Sequence, residues 1–355
     1  MASSNKIQCA VFGASGYAGV ELAKMITSHP EFELTQVLVS EHSNDANKLL
    51  SSLYPKYAGL LDLELFPGST TAIKALISQF KQAGKGLIFL ATPHEFSHDI
   101  AYQLASDNIT VLDLSGGFRL QDPALYPQYY GFEHKYSANL PTIPYGLPEW
   151  NSQQLANCPV ISLPGCYPTA SQLAIKPLIA EQLLTDECVP VINAISGVSG
   201  AGRKASIANS FCELSLKPYN LFKHRHAPEI MQELGRKVIF TPHVANFERG
   251  IIATITLQVQ SGVSIEQINT AFETAYHDQP LVRLKQQIPA INDVAFTPYC
   301  DIYWQLDGTD LIVVSAIDNV LKGAASQAIQ CANIISQFPQ ELGLVAQLNT
   351  SGVSS

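Results

Sequence analysis

Residues 6–12, KIQCAVF, form a short apolar run that leads into GASGYAG and then VELAKMITSHP, whose apolar positions recur at helical spacing up to Pro30. The pattern predicts strand, glycine turn and helix. A second strand at 33–40, ELTQVLVS, completes a βαβ unit with its crossover helix. Such a unit commits the chain to a parallel sheet, because strands joined through a helix return in the same direction. The alternation resumes with GLIFLAT at 86–92, a helical stretch at 94–106 and ITVLDLS at 109–115. The amino-terminal half therefore reads as α/β, a Rossmann-type doubly wound parallel sheet.

From about residue 155 the texture changes. VPVINAISGVS (189–199), KVIFTPH (237–243) and GIIATITLQVQ (250–260) carry strand character, and the last alternates as a sheet with one covered face does. This half predicts an α+β catalytic and dimerisation domain over 156–319, after a dinucleotide-binding domain over 1–155. The small and apolar spacing of VLKGAASQAIQCANIISQF predicts a buried helix, so that 320–355 packs back on the first domain; only the Ser-rich NTSGVSS end reads as disordered. At 355 residues and 46% hydrophobic, the chain is long enough for two cores. A formal charge of −9 argues against nucleic acid or an anionic membrane as the main partner. The first residues lack signal-peptide character and no apolar run reaches membrane-spanning length, so a cytoplasmic protein is expected.

Seven cysteines without a CxxC pair predict reduced thiols and no metal site. Cys166, in ISLPGCYPTASQLAIKP, follows a strand-like run and opens a helix, where amide dipoles lower a thiol pKa; Pro177 is expected to kink or end that helix. A nucleophile and a thiol filling space beside the apolar stripe are equally compatible with the spacing. The HRHAPEI segment supplies His224, Arg225, His226 and Glu229. If Pro228 opens a helix, Glu229 is placed to orient His226 and raise its pKa; a charged surface turn fits the same residues, and an HxH metal pair fits less well for want of a third ligand at recognisable spacing. The GxxGxxG turn of Gly13, Gly16 and Gly19 suits a pyrophosphate, and Ser40 at the end of the second strand favours a 2′-phosphate while Glu41 leaves NAD open. DLSGGFR, ending in Arg119, and SGVSGAGRKA, with Arg203 and Lys204, have the glycine and cation content of anion sites, although a solvated loop suits Lys204 better.

A dinucleotide turn, a cysteine at a helix start and an imidazole some sixty residues on suggest aldehyde dehydrogenase or acyl-phosphate reductase chemistry. Hydride does not readily reduce a carboxylate, whereas a thioester carbonyl is electrophilic. GASGYAG, DLSGGFR, YGLPEW, LPGCYPTASQLAIKP, SGVSGAGRKA, HRHAPEI, FTPH and DNVLKGAA, spread over residues 13 to about 326, resemble the N-acetyl-gamma-glutamyl-phosphate reductases of the semialdehyde dehydrogenase group. GGFR, ANFERG and TPYCDIYW depart from the commoner forms and resemble a proteobacterial branch.

The resemblance implies NADP(H) as cofactor, reduction of N-acetyl-L-glutamyl 5-phosphate to N-acetyl-L-glutamate 5-semialdehyde with release of phosphate in arginine biosynthesis, and a homodimer or homotetramer. It implies Cys166 as nucleophile, His226 as acid/base with Glu229 orienting it, and His224 positioning substrate. Arg119 would hold the substrate phosphate, with Ser115, Glu229 and Arg203 completing the substrate set. Gly13, Ala14, Ser15, Gly16, Tyr17 and Ala18 would hold the cofactor with Ser40, Thr92 and Pro93, while Ser199, Gly200, Asn319 and Lys322 border its nicotinamide. Aspartate-semialdehyde dehydrogenase shares this chemistry but not the HRHAPEI and PGCYPT wording, and a non-catalytic dinucleotide-binding sensor is the alternative outside the enzymes.

Overall fold

The structure is a computed structural model describing residues 6–345; the Ser-rich end lies outside these residues. Six strands, β1 Ile7–Phe12, β2 Phe32–Val39, β3 Leu65–Pro67, β4 Gly86–Leu90, β5 Ile109–Asp113 and β6 Val160–Ser162, form one wholly parallel sheet in the order β3-β2-β1-β4-β5-β6. The strand order reverses on either side of β1, which opens a crevice at the carboxyl ends of β1 and β4. Alternation along β1 explains how both faces are covered. Cys9 and Val11 pack with Leu22 and Ile26 of helix α1 (Tyr17–Ser28), whereas Ala10 and Phe12 meet α2 (Thr70–Ala83) and α3 (His94–Leu104). The sheet closes on β6, beyond the expected boundary at 155.

Helix α4 (Cys166–Ala180) follows β6 and leads into seven further strands: β7 Val191–Gly197, β8 Lys217–Pro218, β9 Ile239–Ala245, β10 Ile251–Gln258, β11 Val282–Leu284, β12 Cys300–Asp307 and β13 Asp310–Ile317. They form a mixed sheet in the order β11-β12-β13-β10-β7-β9-β8. Its inner face, including Ile192, Ile255, Val313 and Ile302, packs on α4, α5 (His226–Leu234) and α6 (Ile265–Tyr276). The sequence pattern at 250–260 reappears as strict alternation, with Ile251, Ala253, Ile255 and Leu257 buried and Thr254, Thr256 and Gln258 exposed.

Pro177 neither ends nor stops α4, which continues to Ala180. A proline inside a helix frees the carbonyl four residues earlier, and here the Tyr276 hydroxyl donates to the Leu173 carbonyl at 2.5 Å. The expected buried helix after 319 starts as a π-turn, Leu321–Ala325, before α7 (Ser326–Ile335) packs beside α1 on the first sheet. Lys322 of this turn is wholly buried, and its ammonium donates to Glu149 and, at 2.7 Å, to Gln330. Replacing one partner of a buried pair strands the other charge. Glu149→Gln is therefore expected to lower unfolding free energy by about 3–5 kcal/mol. Urea denaturation checks this, and a loss below about 1 kcal/mol would place the pair among those that stabilise little.

Candidate active site

At the crevice of the first sheet, Gly13 has φ +76°, and a Cβ there would lie 2.2 Å from the Ala91 carbonyl oxygen. A Cβ at Gly19 would lie 2.2 Å from the Gly13 carbonyl, so these two glycines let β1, β4 and α1 close together. Gly16 caps α1 and no side chain accepts from the first amides of the helix. Those amides, at Tyr17 and Ala18, remain open to an anion. Ser15 is fastened by the Tyr54 hydroxyl donating to its carbonyl at 2.8 Å. Thr92 flanks Gly13, with its hydroxyl 2.7 Å from that of Ser97, and Pro93 precedes α3. Ser40 is exposed just past β2. The turn with its bare helix start and the exposed residue beyond β2 fit a dinucleotide.

Across the cleft, Asn319 donates to the Ser199 hydroxyl at 3.0 Å and accepts from the Gly250 amide at 2.7 Å, with Gly200 beside them. Two expected members are elsewhere. Lys322 is buried with Glu149 and does not reach this surface, because its short π-turn points it into the core. Arg203 pairs with Asp45 in the segment following β2, so it faces the cofactor side of the cleft and not the cavity at Cys166.

Cys166 begins α4, with Gly165 as its cap. A Cβ on Gly165 would lie 2.5 Å from Nε2 of His226 and 2.9 Å from Nη1 of Arg119, so only glycine admits the imidazole and guanidinium here. Gly323 of the π-turn is equally constrained, since its Cβ would be 2.7 Å from that of Cys166. The helix position does not make Cys166 a free thiolate. Burial pushes its thiol up to about 11 against the opposing pull of Arg119, the Tyr167 amide and Arg225.

Glu229 does not orient His226. Its Oε1 accepts from the Gly165 amide and the Tyr145 hydroxyl, both at 2.8 Å, and its Oε2 faces Nη1 of Arg119 at 3.6 Å. His226 Nε2 meets the same Arg119 Nη1 at 3.4 Å. Burial, His224 and Arg119 hold this imidazole well below its usual pKa, the reverse of the expected direction. His224 accepts the His226 amide on Nδ1 at 3.1 Å, and its Nε2 lies 3.3 Å from the Tyr219 hydroxyl. Burial and Arg225 lower it to about 4. Arg119 is 6% exposed, and its Nε and Nη2 donate to the carbonyls of Leu163 and Leu114 at 2.7 Å. That leaves it a positioning role rather than an open phosphate fork. Ser115 is likewise occupied: its hydroxyl donates to Asp113 and accepts from the Gly117 amide, each at 2.9 Å.

Cys166, His224 and His226 share a cavity of about 430 Å³, which Lys217, Lys223 and Arg225 also line, with no Asp or Glu among the lining residues. Of these three cations only Arg225 has a motif around it in the sequence. Arg225 stood between the histidines, but Lys217 and Lys223 lie in a segment without motif character. Gly165 and Gly323 were quoted within motifs without a role, since close approach is invisible before the partner chain segments are placed.

The family description "Semialdehyde dehydrogenase, NAD binding domain" matches residues 8–158, and "Semialdehyde dehydrogenase, dimerisation domain" matches 166–319. N-acetyl-gamma-glutamyl-phosphate reductase of Yersinia pseudotuberculosis is 52% identical over 338 residues, covering 94% of this chain and 98% of its own. The Vibrio parahaemolyticus protein of that name is 49% identical over 341 residues, covering 96% and 100%. Among solved structures, aspartate semialdehyde dehydrogenase II of Vibrio cholerae superposes with a TM-score of 0.69 at 16% identity, over 94% of this chain and 98% of that one. The Candida albicans aspartate semialdehyde dehydrogenase with NADP gives 0.66 at 15%, over 93% and 98%. These two likenesses speak for the fold alone. Two domain matches spanning most of the chain, and full-length relatives at about half identity, establish that the chain belongs to the semialdehyde dehydrogenase family, in its N-acetyl-gamma-glutamyl-phosphate reductase branch.

Proposed function

We propose that this protein reduces N-acetyl-L-glutamyl 5-phosphate to N-acetyl-L-glutamate 5-semialdehyde with NADPH, releasing phosphate, as a cytoplasmic enzyme of arginine biosynthesis. The observation that carries the reading is Cys166 at a helix start, beside a neutral His226, in a cavity whose charged lining is wholly cationic. The division of labour would fall between a cofactor domain, which runs through β6 and takes in the segment after 319, and a catalytic and dimerisation domain from Cys166 to Asn319. Gly13 to Ala18 would hold the pyrophosphate, Ser40 the 2′-phosphate, and Ser199, Gly200 and Asn319 the nicotinamide side. Bound there, the dinucleotide supplies hydride to the acyl carbon.

The protein's own groups do the rest. With the thiol raised and the imidazole lowered, both partners start neutral, so Cys166 needs a base at the moment of attack. Nη1 of Arg119 lies 3.4 Å from Nε2 of His226, a long contact that fixes the ring and would have to give way for Nε2 to act as the base. Nε2 takes the thiol proton as the sulfur–carbon bond forms, and passes it to phosphate as the carbon–oxygen bond breaks. Hydride addition would leave a thiohemiacetal on Cys166. Its collapse breaks the carbon–sulfur bond and releases aldehyde, and a proton from water restores the thiol. His224, holding the His226 amide and Tyr219, positions this imidazole.

The outer face of the mixed sheet supports a homodimer. Asn193, Thr254, Thr256 and Ile312 are exposed on one flat surface that no helix of the described residues covers, opposite the packed inner face. A second copy covering this face would give each sheet two packed sides.

Purified protein is expected to reduce NADP with N-acetyl-glutamate semialdehyde and phosphate. Cys166→Ala should lower kcat by more than about 10⁴, and His226→Asn by about 10²–10⁴; full turnover of the alanine variant would end the covalent route. In the free protein, iodoacetamide should alkylate Cys166 about tenfold faster per pH unit between roughly pH 7 and 9, because only thiolate reacts. A rate plateau below pH 8 would contradict a thiol titrating near 11. Thr254→Lys combined with Ile312→Glu should convert the dimer to monomer in sedimentation velocity, whereas an unchanged mass moves the interface elsewhere.

A further inference from the structure

The cavity beside Cys166 concentrates positive charge in a protein whose formal net charge is −9. Lys217, Lys223 and Arg225 line it, and among the described residues none of the three takes part in an ion pair. All three are exposed, so water screens their mutual repulsion, but an anion entering the concavity would face each of them. Their placement separates them into two groups. Arg225 is the residue immediately before α5, and its charge acts directly on Cys166, His224 and His226. Lys217 belongs to the edge strand β8, paired there with Val244, and Lys223 ends the turn whose amide donates to the Asn220 carbonyl at 2.9 Å. Tyr219, between them in sequence, has its hydroxyl 3.3 Å from Nε2 of His224.

The substrate proposed above carries two anionic groups on opposite sides of the carbon that Cys166 attacks: the phosphate on that carbon and an α-carboxylate four bonds away. Arg119 is committed to two backbone carbonyls, Glu229 and His226, and cannot present a fork to either. The geometry points to Arg225 as the ligand of the transferred phosphate, and to Lys217 with Lys223 as the pair that selects the α-carboxylate. This rests on the function proposed above. Arginine beside the reacting carbon suits a group that must be held while it leaves, since the guanidinium matches phosphate oxygens with two parallel bonds. Two flexible ammonium groups further out suit a carboxylate that stays unchanged and only needs to be counted. The recognition is by charge at both ends of a short chain, so a substrate lacking one end loses one group of contacts and keeps the other.

The test runs the enzyme in the aldehyde-oxidising direction, with phosphate, semialdehyde and NADP varied separately. Arg225→Gln is expected to raise KM for phosphate at least about tenfold, the scale of one charge-assisted hydrogen bond, with KM for aldehyde and NADP within about twofold; Arg225→Lys should restore part of the loss. Lys217→Gln with Lys223→Gln should raise KM for N-acetyl-glutamate semialdehyde by a similar factor, spare phosphate, and erase most of the preference over 4-acetamidobutanal, which lacks the carboxylate. An unchanged phosphate KM in Arg225→Gln overturns the assignment, as does a lysine double variant whose defect falls on NADP, which would make these residues part of the cofactor site. Alkylation of Cys166 supplies a readout independent of turnover: inorganic phosphate should slow it in the unmodified protein and not in Arg225→Gln. Protection through Arg225 in a protein that does not oxidise the aldehyde would reject the proposed reaction and keep the anion site, whereas no protection rejects the anion site itself.

Discussion

The site depends on a contact that only glycine permits. Gly165 has no side chain, so Arg119 and His226 press against its α-carbon, and its amide donates to Glu229 at 2.8 Å. Glu229 also faces Arg119. One residue after β6, one from the loop after β5 and two from α5 are thereby fixed together within the width of a peptide group. The buried carboxylate stabilises the guanidinium, and the guanidinium offsets the burial of the carboxylate. Cys166, next in sequence, inherits its position from this cluster, with Gly323 closing the other side.

The same burial decides the protonation states. Nearby cations alone would favour a thiolate, but desolvation outweighs Arg119, the Tyr167 amide and Arg225 together in setting the thiol near 11. The imidazole is driven the other way by the same loss of water, reinforced by His224 and Arg119. A neutral acid beside a neutral base costs less to bury than an ion pair, and it leaves the proton transfer to the moment when an anionic substrate has entered. Arg225, whose pull on the thiol is outweighed by burial, lines the cavity where that charge would arrive.

Much of this was legible in the sequence where local chemistry and chain direction coincide. The βαβ opening appears as β1, α1 and β2 because a glycine turn between an apolar run and an amphipathic helix has few other uses. The alternation at 250–260 reappears as β10 for the same local reason. Cys166 and His226 were identifiable as residues, but their states were not. The sequence places Glu229 three residues after His226, which suggests contact; in space the carboxylate turns towards Gly165 and Tyr145, contributed by residues 64 and 84 positions away. Lys322 misled similarly. A lysine beside a cofactor motif looks available, yet a π-turn rotates it inward onto Glu149, 173 residues earlier. Pro177 looked like a helix end, and the hydroxyl that makes it tolerable comes from Tyr276. Each error is a long-range partner overriding a local preference.

A buried charge cluster across the domain boundary explains why the cofactor turn and Cys166 keep their relative positions. Arg249 donates to Glu21 of α1 at 3.2 Å and to Asp318 at 3.0 Å, while Lys322 and Glu149 tie the returning segment to the first domain. Glu21 lies one turn into the helix that begins at the glycine turn, and Asp318 precedes Asn319, the residue that links Ser199 to Gly250. Buried pairs of this kind add little to stability compared with apolar residues of equal size. What they add is direction: an apolar contact tolerates sliding, but a carboxylate and a guanidinium at hydrogen-bonding distance do not. A reaction that moves hydride between a group held on one domain and a carbon held on the other needs that restriction more than it needs additional stability. The Arg249–Glu21 and Arg119–Glu229 contacts accordingly bridge the two domains, and the apolar clusters lie inside each of them.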